Sequence, residues 1–139
     1  MDTKAAAVRL RGLLLELEEE RELDAEEMRR LRGTKIPPWI YAAVQDILGG
    51  YDERERALRR EDGARGVLQE YRRLNHGIDV ALRAAADGCA DRIVELLRRD
   101  MIERRGYYNS LLADVMSERK YYELKRRASL YIAANLYLI

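Results

Sequence analysis

The sequence predicts an all-α fold, on two observations. Long windows of the 139-residue chain place apolar residues at helical spacing, and almost none alternate as half-buried strands do. The breaks between those windows are helix breaks: an adjacent Pro37-Pro38 pair, Gly49-Gly50, and glycines at 33, 63, 66, 88 and 106. Three regions follow, 1–33, 34–88 and 89–139.

A first helix is expected over 3–21, where Val8, Leu10, Leu13, Leu14 and Leu17 form an apolar stripe. Its other side is acidic, with Glu16, Glu18, Glu19, Glu20 and Glu22. Asp24 followed by Glu27 restarts a helix that ends near Gly33. The stripe is the candidate seam for a homodimer or a face of the core. Arg21 and Asp24 interrupt the heptads that a parallel coiled coil needs.

Pro38 suits the first position of a helix, and Trp39, Ile40, Ala43, Val44, Ile47 and Leu48 would make its apolar face up to Gly49-Gly50. Residues 52–62 are highly charged with Leu58 as the large apolar residue, a solvated or partly mobile helix. Beyond Gly66, a near-heptad series runs through Val67, Tyr71, Leu74, Ile78 and Leu82, interrupted by Gly77. Asp87-Gly88 is a turn, and Ile93, Leu96, Leu97 and Met101 mark the next helix. A short amphipathic segment at 108–116 and a last helix over 117–137 complete the chain.

Composition narrows the function. Lys+Arg number 26 against 25 Asp+Glu, a net charge of +1, with 47% hydrophobic and 37% charged residues. One Cys (Cys89) and one His (His76) exclude a disulfide framework, a Cys-based metal site and a His-rich one. Carboxylate pairs such as Asp87/Asp91 or Glu16/Glu19/Glu20 read as solvated helix faces rather than cation sites. GxxxxGK[ST], GxGxxG and GxSxG are all missing. The expectation is therefore a non-enzyme without metal or cofactor. No apolar run reaches the roughly 18 residues of a membrane span, and the start, Met1-Asp2-Thr3-Lys4, lacks signal-peptide anatomy. A cytoplasmic protein without membrane contact is expected.

The charge is unevenly spread. Residues 1–70 carry 13 basic and 16 acidic groups, net −3, whereas 71–139 carry 13 and 9, net +4. Five basic residues and one acid stand between 119 and 127. Ser117 is a natural N-cap there, and Glu118 complements the helix dipole. On a helix starting at Ser117, Tyr121, Leu124, Ala128, Tyr131, Ile132 and Asn135 share one side. Glu118, Arg119, Tyr122 and Arg126 share the other. Leu111, Leu112 and Val115 suggest a short helix before the Met116-Ser117 turn. Helix, tight turn and basic helix are the parts of a helix-turn-helix, whose second helix enters the major groove of duplex DNA. Arg119, Tyr122 and Arg126 are the candidate base contacts; Ser117, Lys120, Lys125 and Arg127 are the candidate phosphate contacts. The fold expected is an N-terminal helical region plus a C-terminal helix-turn-helix.

The stretch Ser117-Glu118-Arg119-Lys120-Tyr121-Tyr122-Glu123-Leu124-Lys125-Arg126-Arg127-Ala128 resembles the recognition helix of RinA/ArpU-type phage late-gene transcription regulators. Those proteins are similar to region 4 of sigma factors and commonly read SER-x-YY-x-x-K/R-R-x-A at this point. The aromatic-led segment from Trp39, Ile40 and Tyr41 to Tyr51, Asp52 and Glu53 resembles their N-terminal pattern more loosely. Where such turns carry Ala and Gly, six and two residues before the Ser, this chain has Leu111 and Val115. The resemblance implies DNA binding and control of phage late or packaging genes, with RNA polymerase as a protein partner.

The plainer readings are a solvated basic helix face at 119–127, a core role for Tyr121, and helix-start packing for Tyr107 and Tyr108. His76 reads as a helix-surface residue and Cys89 as a small, buried or half-buried one. A second class of function, a helical assembly or packaging adaptor, would use the basic last helix for protein or non-specific DNA contacts.

Overall fold

The computed structural model describes residues 35–138. The expected helices at 3–21 and 24–33, and with them region 1–33 and its candidate dimer seam, lie outside those residues. The described residues are helical and include no strand, so the all-α expectation holds. Five α-helices are α1 (Pro38–Gly49), α2 (Tyr51–Arg60), α3 (Arg65–Ala85), α4 (Asp91–Ile102) and α5 (Glu118–Asn135). Two 3-10 turns, Tyr107–Asn109 and Leu111–Asp114, stand between α4 and α5.

In α1, with proline at the helix start, four-residue spacing buries Ile40, Val44 and Leu48. Ala43 and Ile47 are half-buried at the edges of that stripe, but Trp39 is 64% exposed. It precedes the stripe by one residue, roughly 100° around the helix, and so leaves the apolar face assigned to it. Gly50 follows, and a Cβ there would stand 2.5 Å from Arg54 Nη1. The glycine thus makes room for a guanidinium that donates to the Ile47 carbonyl at the end of α1.

The charged segment after it is a regular helix. Asp52 and Glu53 in the first turn of α2 and Arg59 and Arg60 in its last complement the helix dipole. Tyr51 and Arg54 are its buried residues. Arg54 Nε donates to Asn75 Oδ1 at 2.7 Å, and Asn75 Nδ2 donates in turn to the Tyr51 carbonyl and to Glu55. A buried cation is tolerated where its donors find such acceptors.

Helix α3 is the spine, packing chiefly against α5 and α2. It buries Asn75, Ile78, Ala81, Leu82 and Ala85, while Val67, the first residue of the expected heptad series, is exposed. Gly77 permits the closest approach: a Cβ there would meet Leu136 Cδ2 at 3.0 Å, and Asn135 Nδ2 donates to the Gly77 carbonyl. Gly88, at φ +78°, forms the turn into α4. Leu97 and Met101 carry α4 into the core, beside a buried Asp100. One apolar cluster runs through all five α-helices, so regions 34–88 and 89–139 share a core.

The element before α5 differs from the expected short helix. It is a four-residue 3-10 turn in which Leu112 is buried, while Leu111 and Val115 are 58% and 62% exposed. Ser110 Oγ accepts the Leu112 N–H at 2.9 Å, and the N–H groups of Val115 and Met116 both go to the Leu112 carbonyl. The Tyr107 hydroxyl takes up the carbonyls of Ala113 (3.2 Å) and Met116 (2.8 Å). Side chains thus occupy backbone groups that an α-helical ladder would use.

Candidate nucleic-acid interface

Helix α5 has two unlike halves. Ser117 caps it, its Oγ accepting the Lys120 N–H at 3.2 Å. From 118 to 127 the helix is one-sided, burying Tyr121 and Leu124 and exposing Glu118, Arg119, Lys120, Tyr122, Glu123 and Arg126. From 128 to 133 every residue is buried. A helix apolar all round belongs inside a core, so the trailing half anchors the leading half rigidly at the surface.

Beneath the leading half lies a polar hub. Asp100, 2% exposed, accepts from the Tyr121 hydroxyl at 2.9 Å and from the Ser110 hydroxyl. Burial, then the bond to Asp100, pushes the Tyr121 phenol well above its ordinary pKa. The loop after α4 closes onto the same place. Arg105 N–H donates to the Asp100 carbonyl (2.8 Å), and the Arg105 carbonyl lies 3.2 Å from the Tyr121 hydroxyl and 2.7 Å from Lys125 Nζ. Tyr107 N–H reaches the Tyr122 hydroxyl at 3.4 Å. Tyr107, Tyr108, Tyr121 and Tyr122 form a chain of ring contacts with centroids 5.2–5.5 Å apart.

Each sequence-predicted residue can be placed against this frame. Arg119 stands out from the surface, 90% exposed, with Glu123 as an i, i+4 partner at 3.3 Å. Tyr122 is 47% exposed, its ring edge-on to Tyr121. Arg126 is exposed on the same side, Lys120 is also exposed, and Arg127 is half-buried. Lys125 is committed elsewhere, its ammonium over the Tyr121 ring at 5.1 Å and bonded to the Arg105 carbonyl. Burial lowers its pKa, against the pull of Asp100. Tyr121 is core, as its spacing predicts. Tyr107 is half-buried in the hub, whereas Tyr108 is 81% exposed, its hydroxyl donating to Glu118 at 3.1 Å. His76 is exposed on α3, and Cys89 is half-buried.

No protein-family model, curated protein or solved structure matches the chain.

Sequence reasoning missed Arg104 and Arg105. Both are exposed, Arg104 in the left-handed backbone region at φ +56°. The Arg105 backbone lies against Tyr121 and Lys125 although 16 and 20 residues separate them in sequence. The run Glu103-Arg104-Arg105-Gly106, a basic pair on a loop, was the available signal. The face as built offers guanidinium donors suited to guanine O6/N7 or phosphate, and carboxylates suited to the cytosine amino group. Among the described residues no group of three or more His, Cys, Asp and Glu is placed to hold a metal ion. Nor is any helix among them long and apolar enough to cross a membrane.

Proposed function

We propose that the chain is a non-enzymatic, sequence-specific duplex-DNA-binding regulator of phage type, with α5 in the major groove. The observation that carries this reading is the split character of α5. A capped leading half presents Arg119, Lys120, Tyr122 and Arg126 to solvent while a buried trailing half fixes its direction. In helix-turn-helix proteins it is the first turns of the second helix that meet base edges. In this reading the 3-10 turn Leu111–Asp114 stands where the first helix of that motif would be, with residues 115–117 leading into α5. The resemblance of residues 117–128 to RinA/ArpU-type regulators adds support independent of the fold. Arg119, Tyr122 and Arg126 are the base contacts in this reading, and Ser117, Lys120 and Arg127 the backbone contacts. Action with RNA polymerase belongs to the same reading, the two-fold symmetry of half-sites asks for a homodimer, and the lack of an apolar run long enough for a membrane span fits a cytoplasmic protein.

A second reading has its own observation. Leu111, Val115 and Tyr108 leave an exposed apolar and aromatic surface beside the basic helix, which suits an assembly or packaging adaptor. Selection from random duplexes over a salt series separates the two. A regulator retains an enriched motif, with affinity falling steeply against log[salt]; an adaptor retains no motif. Arg119→Ala is expected to cost about 1–3 kcal/mol on the selected site and to relax preference at one base pair. Equal loss on every sequence would reduce Arg119 to a phosphate contact.

A further inference from the structure

We infer that the loop at 103–106 is a phosphate-binding arm of the same interface, in which Arg104 and Arg105 grip the DNA backbone beside α5 and Lys125 is the strut that holds them there. The inference rests on the duplex-binding reading and adds residues that neither the spacing of α5 nor the resemblance supplies.

Three contacts fix the loop. The Arg105 N–H is held by the Asp100 carbonyl at 2.8 Å, and its carbonyl is held by Lys125 Nζ at 2.7 Å and approached by the Tyr121 hydroxyl at 3.2 Å. Tyr121 and Asp100 are buried, so two of the three anchors belong to the core and cannot drift. The loop therefore runs alongside the leading half of α5 at the level of residues 121–125. A helix with side chains measures about 10–12 Å across and the major groove about 12 Å, so a helix docked there fills it from wall to wall. Groups standing beside such a helix meet the phosphate ridge rather than base edges. Arg104 and Arg105 stand there, both exposed, Arg105 sharing an ion pair with Glu103 at 2.7 Å that phosphate can replace. Arginine's planar fork matches phosphate oxygens two at a time.

Lys125 changes role accordingly. Its ammonium lies over the Tyr121 ring and donates to a backbone carbonyl, which gives it a role in holding the loop.

The test is the salt dependence of binding to a labelled random-sequence duplex, measured by fluorescence anisotropy on the full chain. Each phosphate contact contributes about 0.9 to the slope of log K against log[salt]. The double variant Arg104→Ala/Arg105→Ala should flatten the slope by about 1.8 and weaken binding equally on all sequences. Arg59→Ala/Arg60→Ala, which removes equal charge from the exposed end of α2, should leave the slope near the wild-type value. Lys125→Met keeps an apolar stem on Tyr121 and should flatten the slope too, with no further loss when combined with the double variant. An unchanged slope in Arg104→Ala/Arg105→Ala, with the wild type binding, overturns the arm and leaves the α5 reading standing. Additive loss in the triple variant overturns the strut and makes Lys125 a direct contact. A wild-type chain that binds no duplex at low salt removes both the reading and the arm.

Discussion

Tyr51 and Tyr121 each donate a hydroxyl to an aspartate on a neighbouring helix, and each carries a cation over its ring, Arg98 at 5.5 Å and Lys125 at 5.1 Å. The two trios differ in what the cation does. Arg98 also pairs with Asp79 at 3.1 Å, and the Asp79 side chain is 34% exposed. That cluster ties α2, α3 and α4 together at the rim, where water shares the work. Asp100 is 2% exposed and takes hydrogen bonds from two hydroxyls, while Lys125 turns away to the Arg105 carbonyl. The second cluster ties α4, the 3-10 turns and α5 together from inside. Similar residues thus make a replaceable tie in one place and an indispensable one in the other, and it is the indispensable one that underlies the candidate interface.

The largest expected effect separates the two aspartates. Asp100→Ala leaves the Ser110 and Tyr121 hydroxyls buried without their acceptor, and should cost about 3 kcal/mol or more. Asp79→Ala removes a partly solvated pair and should cost about 1 kcal/mol or less. Urea midpoints at constant m-value measure both, and the reverse order would break the contrast. Next come the hydroxyls: Tyr121→Phe should cost about 1.5 kcal/mol and Tyr51→Phe about 0.5 kcal/mol by the same measurement, since Asp79 keeps Arg98.

The smallest effect is where the trios should agree. Both phenols are held far above the ordinary tyrosine value of 10.0, first by burial and then by their aspartates. A raised folded-state pKa gives stability that is whole below the unfolded value and lost as pH climbs beyond it. Melting temperature should therefore fall above about pH 10, and either Tyr→Phe change should flatten that alkaline limb. A limb unchanged in both variants would show that the phenols ionise freely in the folded protein.

Local features of the fold were legible in the sequence. Pro38, Gly49-Gly50, Asp87-Gly88 and the Ser117 cap act through their own backbone or the next turn, and the structure has each where spacing predicts it. Trp39, Val67, Leu111 and Val115 were not legible: apolar character favours burial but does not say on which side the neighbouring helix will stand. Arg54 fell in a segment read as solvated and Asp100 carried no signal, because the groups that satisfy them are remote in sequence. Asn75 lies 21 residues from Arg54, and Ser110 and Tyr121 lie 10 and 21 from Asp100. The bond from Lys125 to the Arg105 carbonyl was not legible for the same reason, because a lysine on a basic stretch discloses nothing of a carbonyl 20 residues upstream.

The buried trailing half of α5 has a consequence for how the leading half comes to exist. Ten residues, 118–127, are too few to hold a helix in water on their own, where about 12–15 are marginal even for the best formers. The basic turns are helical because they continue into the buried residues 128–133, and α5 as a whole packs on α1, α3 and the 3-10 turns. Their ordering is complete when the core closes, so a duplex meeting this surface has no disordered segment to fold and no entropic toll to levy on it. Amide hydrogens along 128–133 should exchange only when the whole domain opens, which would make the shape of this surface as durable as the fold itself.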